Sequence, residues 1–206
     1  MSSIDKARAF VSGFDGGDCF LVRPMSGSGG SHAYLAVGRD LQPFQRFDSG
    51  YTSEVGAEPQ LSLRLIAPSE CPALDLIRLG AAEGGAAPRI ELANYSVGRG
   101  KPLSGTIANL EGRRLFLVLV GDDGVARRLD AKAIPGRDAA TFSVPLTPDA
   151  SSIGPMQILL AIVSAKPIPA LETFRSGPVN NIATQLVGEA RGGSVSVEAD
   201  FFKFVN

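Results

Sequence analysis

Tryptophan is missing from these 206 residues, histidine occurs once, and cysteine twice. Each scarcity removes a class of chemistry. A Ser-His-Asp or Cys-His centre has only His32 to draw on, and no Gly-x-Ser-x-Gly elbow is present to hold a serine nucleophile. Cys19 with His32 is the one conceivable thiol nucleophile, set against a plain surface histidine. A zinc site needs three or four ligands, which one histidine and two separated cysteines do not supply. With no tryptophan and three tyrosines, the chain advertises no stacking platform for sugars or single-stranded nucleic acid. Excess charge is missing too. Twenty basic residues meet 21 acidic ones, and the arginines pair only as Arg113–Arg114 and Arg127–Arg128, which argues against a nucleic-acid or anionic-membrane surface. No apolar run approaches the roughly 20 residues of a membrane span. The longest, Met156 to Val163, is broken by Gln157 and has the length of a buried strand.

What is present suits a folded protein: 44% hydrophobic and 20% charged residues can build a core. Small residues and glycine from Gly80 to Pro88 mark a break, which predicts a small α+β domain over 1–80, a linker over 81–88 and a β-sandwich domain over 89–206. The first part reads α-β-β-α-β-α. Ile4, Ala7 and Val11 have helical spacing with Ser3 as N-cap, and strands over Asp18–Arg23 and Ala33–Val37 flank a Ser26–Ser31 turn. Leu41, Phe44, Phe47 and Tyr51 make an amphipathic helical stripe. Leu61, Leu63 and Leu65 alternate with Gln60, Ser62 and Arg64 as in a half-buried strand. Ser69 then caps a last helix running to Leu79.

The second part offers seven strands: 89–97, 103–110, 114–120, 125–129, 140–146, 155–164 and 194–205. The Asp123-Gly124 turn joins two of them, and the spacing is that of an immunoglobulin-like antiparallel sandwich. One short helix after Pro178, carrying Val179, Ile182, Ala183, Leu186 and Val187, is expected to cross one end of it. Gly121-Asp-Asp-Gly124 reads as a hairpin turn, lacking the further acids of a calcium loop. The tail Phe201-Phe-Lys-Phe204 reads as core in an edge or closing strand.

Candidate ligand contacts are weak. Asp15 and Asp18 flank two glycines just before a strand, and Arg99 and Lys101 sit in a glycine turn that is at best an anion site. No metal or cofactor is implied. Cys19 and Cys71 are either two buried free thiols or a bridge, which is expected to close a loop of 52 residues and to signal an oxidising compartment. The N-terminus has no apolar h-region. That leaves a cytoplasmic protein or a fragment of a longer chain with its targeting segment upstream.

Several stretches resemble a known group. Phe14-Asp-Gly-Gly-Asp-Cys-Phe-Leu-Val-Arg-Pro24, Leu41-Gln-Pro-Phe-Gln-Arg-Phe-Asp48 and Glu70-Cys-Pro-Ala-Leu74 are similar to the C-terminal accessory region of some bacterial serine/threonine protein kinases and caspase-like proteins. So are Leu103-Ser-Gly-Thr-Ile107, Leu117-Val-Leu-Val-Gly-Asp-Asp-Gly124, Gly154 to Pro167 and the Phe201–Phe204 tail. The resemblance implies a segment that follows a membrane anchor and lies in the periplasm or otherwise outside the cytoplasm. It brings no kinase signature and no defined ligand. The expectation is therefore a non-catalytic sensory or protein-interaction region of a signalling protein. Its partner or small ligand is unidentified, and it neither binds nucleic acid nor inserts in a membrane. The alternative is a structural or assembly component of an envelope or secretion complex.

Overall fold

The apolar run at 156–164 forms the strand around which the molecule is built. The computed structural model describes residues 2–25, 32–81, 87–147, 154–190 and 195–206. From Gln157 to Ser164 every residue of that strand is buried, so both its faces are covered.

The chain begins with α1 (Ser3–Gly13). Its N-cap is Ser2 rather than the expected Ser3: the Ser2 hydroxyl accepts from the Asp5 amide, and the Asp5 carboxylate accepts from the Ser2 amide. Strands β1 (Phe20–Pro24) and β2 (Ala33–Gly38) pair antiparallel. Helix α2 (Leu41–Val55), ended by Gly56 in the left-handed region at φ 77°, returns the chain so that β3 (Gln60–Leu65) lies parallel to β2. Between the helices and this sheet, Phe10, Phe14, Phe20, Phe44, Phe47 and Tyr51 stack edge-on or tilted with centroids 5.1–5.6 Å apart. A 3₁₀ turn at Pro68–Glu70 then enters α3 (Cys71–Ala81). Here Glu70 does the capping, its carboxylate accepting from the Ala67 amide at 2.7 Å, while the Ser69 hydroxyl donates to the Asp122 carbonyl.

The strand expected over 89–97 divides into β4 (Arg89–Leu92) and β5 (Ser96–Gly98), which belong to different sheets. There follow β6 (Pro102–Ala108), β7 (Arg114–Val120), β8 (Val125–Leu129), the two-residue β9 (Lys132–Ala133), β10 (Ala139–Pro145) and β11 (Met156–Ser164). Gly124, at φ 75°, closes the β7–β8 hairpin where a turn is expected. After β11 come α4 (Pro169–Thr173), β12 (Ser176–Pro178), α5 (Val179–Ala190) and β13 (Val195–Val205). One sheet runs β4-β6-β10-β9 and the other β12-β8-β7-β11-β13-β5.

The protein is therefore a mixed α and β fold with several antiparallel sheets. The four- and six-stranded sheets share one core: Ile90, Leu103, Ile107 and Phe142 meet Leu117, Leu159, Phe202 and Phe204. The six-stranded sheet has a second covered face. Phe116, Val118, Ile158, Leu160, Ile162 and Phe201 pack there against Leu74, Ile77, Ile182 and Leu186 of α3 and α5. Helix α5 thus lies on a sheet face, not across one end, because its apolar stripe meets the outward side chains of β7 and β11. Each leucine or isoleucine so buried contributes about 1.5–3 kcal/mol. The Phe201–Phe204 segment is likewise not at an edge, since β13 runs between β11 and β5.

At the compositional break, residues 82–86 lie outside the described residues. Two of the three sheets follow it and one precedes it, but the core spans it: Val37, Ile66 and α3 belong to the same cluster as β7, β11 and β13. A disulfide between Cys19 and Cys71, with Cα atoms 5.1 Å apart, fastens the start of α3 to the residue before β1. Thiol alkylation under denaturing conditions should label the chain only after reduction. Replacing both cysteines by serine should lower unfolding stability by about 4 kcal/mol for a closed loop of this length, read from urea midpoints.

Candidate functional site

Strand β13 is flanked on one side by β5 over three residues alone, Lys203 to Val205. Upstream of that contact its edge backbone groups need other partners, because the ladder hydrogen bonds stop. Arg23, at the end of β1, supplies one: its guanidinium donates to the Ala199 carbonyl at 3.1 Å and pairs with the Glu198 carboxylate. Around this junction lies a cleft of about 510 Å³ between the β1–β3 sheet and β13. Glu198 and Asp200 rise from β13, Arg23 and Arg64 come from β1 and β3, and Tyr95 stands at the entry to β5.

These charges are half-buried, and they are mutually arranged. The Asp200 carboxylate accepts from the Phe201 amide at 2.8 Å and from the Tyr95 hydroxyl. Burial nevertheless pushes the Asp200 pKa up, and the nearby Asp200 charge is the first reason that Tyr95 is raised as well. Arg64 acts on both with the opposite sign. Its guanidinium donates at 2.9 Å to the Leu63 carbonyl, and among the described residues no ion pair joins it to a carboxylate. The site therefore offers a cation, a carboxylate and a phenol lining one half-open cleft. That set can bind a polar molecule, and among the described residues no cluster of His, Cys, Asp or Glu is arranged to hold a metal ion.

The residues singled out from sequence lie elsewhere. Asp15 and Asp18 are exposed in the loop before β1; the Asp15 carboxylate accepts from the Gly17 amide at 2.8 Å, where Gly17 has φ 89°. They border a separate hollow with Arg78, which donates to the Asp18 and Phe20 carbonyls. Arg99 and Lys101 are exposed on a tight turn closed by the Lys101 amide on the Gly98 carbonyl at 3.0 Å. No hydrogen bond or ion pair joins the two groups. Ser26–Ser31 lies outside the described residues. A larger hollow of about 680 Å³ between α1 and α2 has Lys6, Asp15 and Glu54 at its border, all exposed.

Two further polar groups differ from the sequence reading. His32 is no free surface histidine: it is half-buried, and its Nδ1 shares a hydrogen bond with the Tyr51 hydroxyl, which meets the Tyr34 hydroxyl at 2.8 Å. Its conceivable partner Cys19 is bound to Cys71 and so is no nucleophile. Sequence reasoning also passed over the cleft. The signal was there, as Glu198 and Asp200 stand two apart in the middle of a mostly apolar strand and so share one face.

No family model matches the chain, and no curated protein matches it. Among solved structures, a DUF4785 family protein from Legionella pneumophila is similar over 57% of this chain at 13% identity, with a TM-score of 0.38. The chain spans 28% of that protein's length, and so low a score carries no argument.

The most perturbed carboxyl is outside the cleft. Glu70 is fully buried, one of its oxygens has no hydrogen-bond partner among the described residues, and burial pushes its pKa up to about 8, with Asp122 and Asp123 adding repulsion. The native state keeps this proton where an unfolded chain, near the ordinary 4.5, releases it. Stability should therefore fall as pH rises from about 4.5 to about 8. Glu70→Gln keeps an acceptor for the Ala67 amide and cannot ionise. Its stability advantage over the parent, measured as urea midpoints, should grow across that window; a constant offset would show that Glu70 is not the group responsible.

Proposed function

We propose that this chain is a non-catalytic sensory or protein-interaction region of a bacterial signalling protein, lying outside the cytoplasm, whose ligand enters the cleft between β3 and β13. The observation that carries the reading is the set of half-buried opposite charges there: Arg64, with no ion pair among the described residues, beside Asp200 and the Tyr95 phenol. Such a site favours a small molecule or peptide end bearing both an anionic group, for Arg64, and a hydrogen-bond donor, for Asp200. The Cys19–Cys71 bridge supports the compartment, since disulfides persist in oxidising surroundings. Among the described residues no helix is long and apolar enough to cross a membrane.

In this reading the second part is an immunoglobulin-like sandwich. The order β4-β6-β10-β9 facing β8-β7-β11-β13 corresponds to strands A-B-E-D facing C′-C-F-G, and β5 lies parallel to the last strand. The α4–β12–α5 segment is then an insertion between F and G that covers the outer face.

A panel of free amino acids and short peptides, followed by thermal unfolding, tests the site. A ligand of this class should raise the melting temperature. Arg64→Ala or Asp200→Asn should weaken its binding about tenfold to a hundredfold, the range expected for one charged hydrogen bond. Alanine at Asp15, Asp18, Arg99 and Lys101 should leave it unchanged. Loss in the loop variants with retention in the cleft variants would move the site to the loops.

A further inference from the structure

The buried carboxyl of Glu70 stands at a joint of three elements. Its 3₁₀ turn, Pro68–Glu70, meets the β7–β8 turn directly: the Ser69 hydroxyl donates to the Asp122 carbonyl, and a Cβ at Gly124 would lie 2.7 Å from the Ser69 carbonyl oxygen. With φ 75° and no room for a side chain, position 124 requires glycine for this contact. The Gly124 carbonyl in turn accepts from the Val179 amide at 3.0 Å, which ties the turn to the start of α5.

Among the described residues, no group at this joint answers the charge of an ionised Glu70. One carboxyl oxygen accepts from the Ala67 amide at 2.7 Å, while the other is sealed from water without a partner. The acids that act on it, Asp122 and Asp123 of the β7–β8 turn, carry its own sign. Arg127 of β8 is paired with Asp123 at 3.0 Å, and β11 presents the neutral Gln157, whose amide donates to Asp122 at 3.1 Å. On α3, Asp75 and Arg78 pair with each other at 2.6 Å near the surface, and α5 brings the apolar Val179. A neutral carboxylic acid fits such a site, whereas a carboxylate is stable only once it reaches water.

We infer that this joint is a proton-operated latch: protonated Glu70 holds the 3₁₀ turn against the β7–β8 turn, and loss of the proton lets the turn lift off into water. The movement is local. Cys71, the next residue, stays bridged to Cys19, and Leu74 and Ile77 of α3 stay in the core, which limits the opening to the stretch just ahead of α3. The closed joint keeps the proton up to about pH 8, whereas an open joint, with the carboxyl in water, releases it near the ordinary 4.5. Opening is therefore favoured as pH rises between those values, about tenfold per pH unit, and gains nothing further above them. Acid locks the N-terminal unit onto the hairpin, and a rising pH loosens it. Neither Arg64 nor Asp200 of the cleft takes part.

Hydrogen exchange of the intact, disulfide-bonded chain, corrected for the intrinsic rate of each amide, tests this against Glu70→Gln. The reporter is the Ala67 amide, which the Glu70 carboxyl holds. Over about two pH units inside that window it should lose protection about a hundredfold in the parent and keep it in Glu70→Gln. It should also exchange faster than the amides of β11, which open with the whole chain. Equal protection of Ala67 and β11 would mean that the joint opens only by complete unfolding, and overturns the latch. A pH-dependent loss that Glu70→Gln retains overturns it too. Should Glu70→Gln fail to fold, the double variant Asp122→Asn, Asp123→Asn takes its place. With two like charges removed, Glu70 gives up its proton earlier and the loss of protection should level off at a lower pH. An unmoved end point there also overturns the inference.

Discussion

The constraint on which this structure rests is the burial of β11 on both faces. A strand reading Met-Gln-Ile-Leu-Leu-Ala-Ile-Val-Ser has no polar side to give to water, so its sheet must be covered twice. The four-stranded sheet covers one face. On the other, Leu74 and Ile77 of α3 join Ile182 and Leu186 of α5, and this ties the N-terminal unit to the rest of the molecule. The disulfide and the Arg23–Glu198 pair are fastenings on that joint, not its cause. A chain-entropy term of about 4 kcal/mol is small beside the apolar surface that α3 takes out of water.

The cleft follows from the same arrangement. Because β5 covers three residues of β13 and no more, the next stretch of that strand turns its edge toward the N-terminal sheet. Carbonyl groups left there without a ladder draw in Arg23, and the side chains on that face are Glu198 and Asp200 rather than leucines. Burial raises the Asp200 pKa, and the Asp200 charge in turn raises that of the exposed Tyr95.

Strand β3 shows how far a pattern can be read. Its leucine–polar alternation fixes which side chains share a face, and Leu61 does join the aromatic cluster. The alternation alone cannot say how wide the covering helix is. Helix α2 reaches the centre of the sheet and leaves Leu63 and Leu65 exposed, while the nominally polar face, with Ser62 and Arg64, looks into the cleft. In the same way, one continuous apolar-polar stretch at 89–97 became two strands on different sheets, because a two-sheet architecture needs the chain to change sides there.

Local order was legible in the sequence: the helices α1, α2 and α5, though Ile4 and Leu41 of their expected stripes are exposed, the Asp123-Gly124 hairpin, and the buried run at 157–164. These depend on spacing and on residue-level preferences, which neighbours within a few positions decide. Tertiary structure alone decided which groups meet. It paired β2 with β3 in parallel, laid α5 on a sheet face, capped the 3₁₀ turn ahead of α3 with Glu70, and brought Arg64, Tyr95 and Asp200 into one cleft from positions far apart in the chain. The reason is physical: long-range pairing depends on which apolar faces remain uncovered once the local elements exist, and no short window of sequence carries that information.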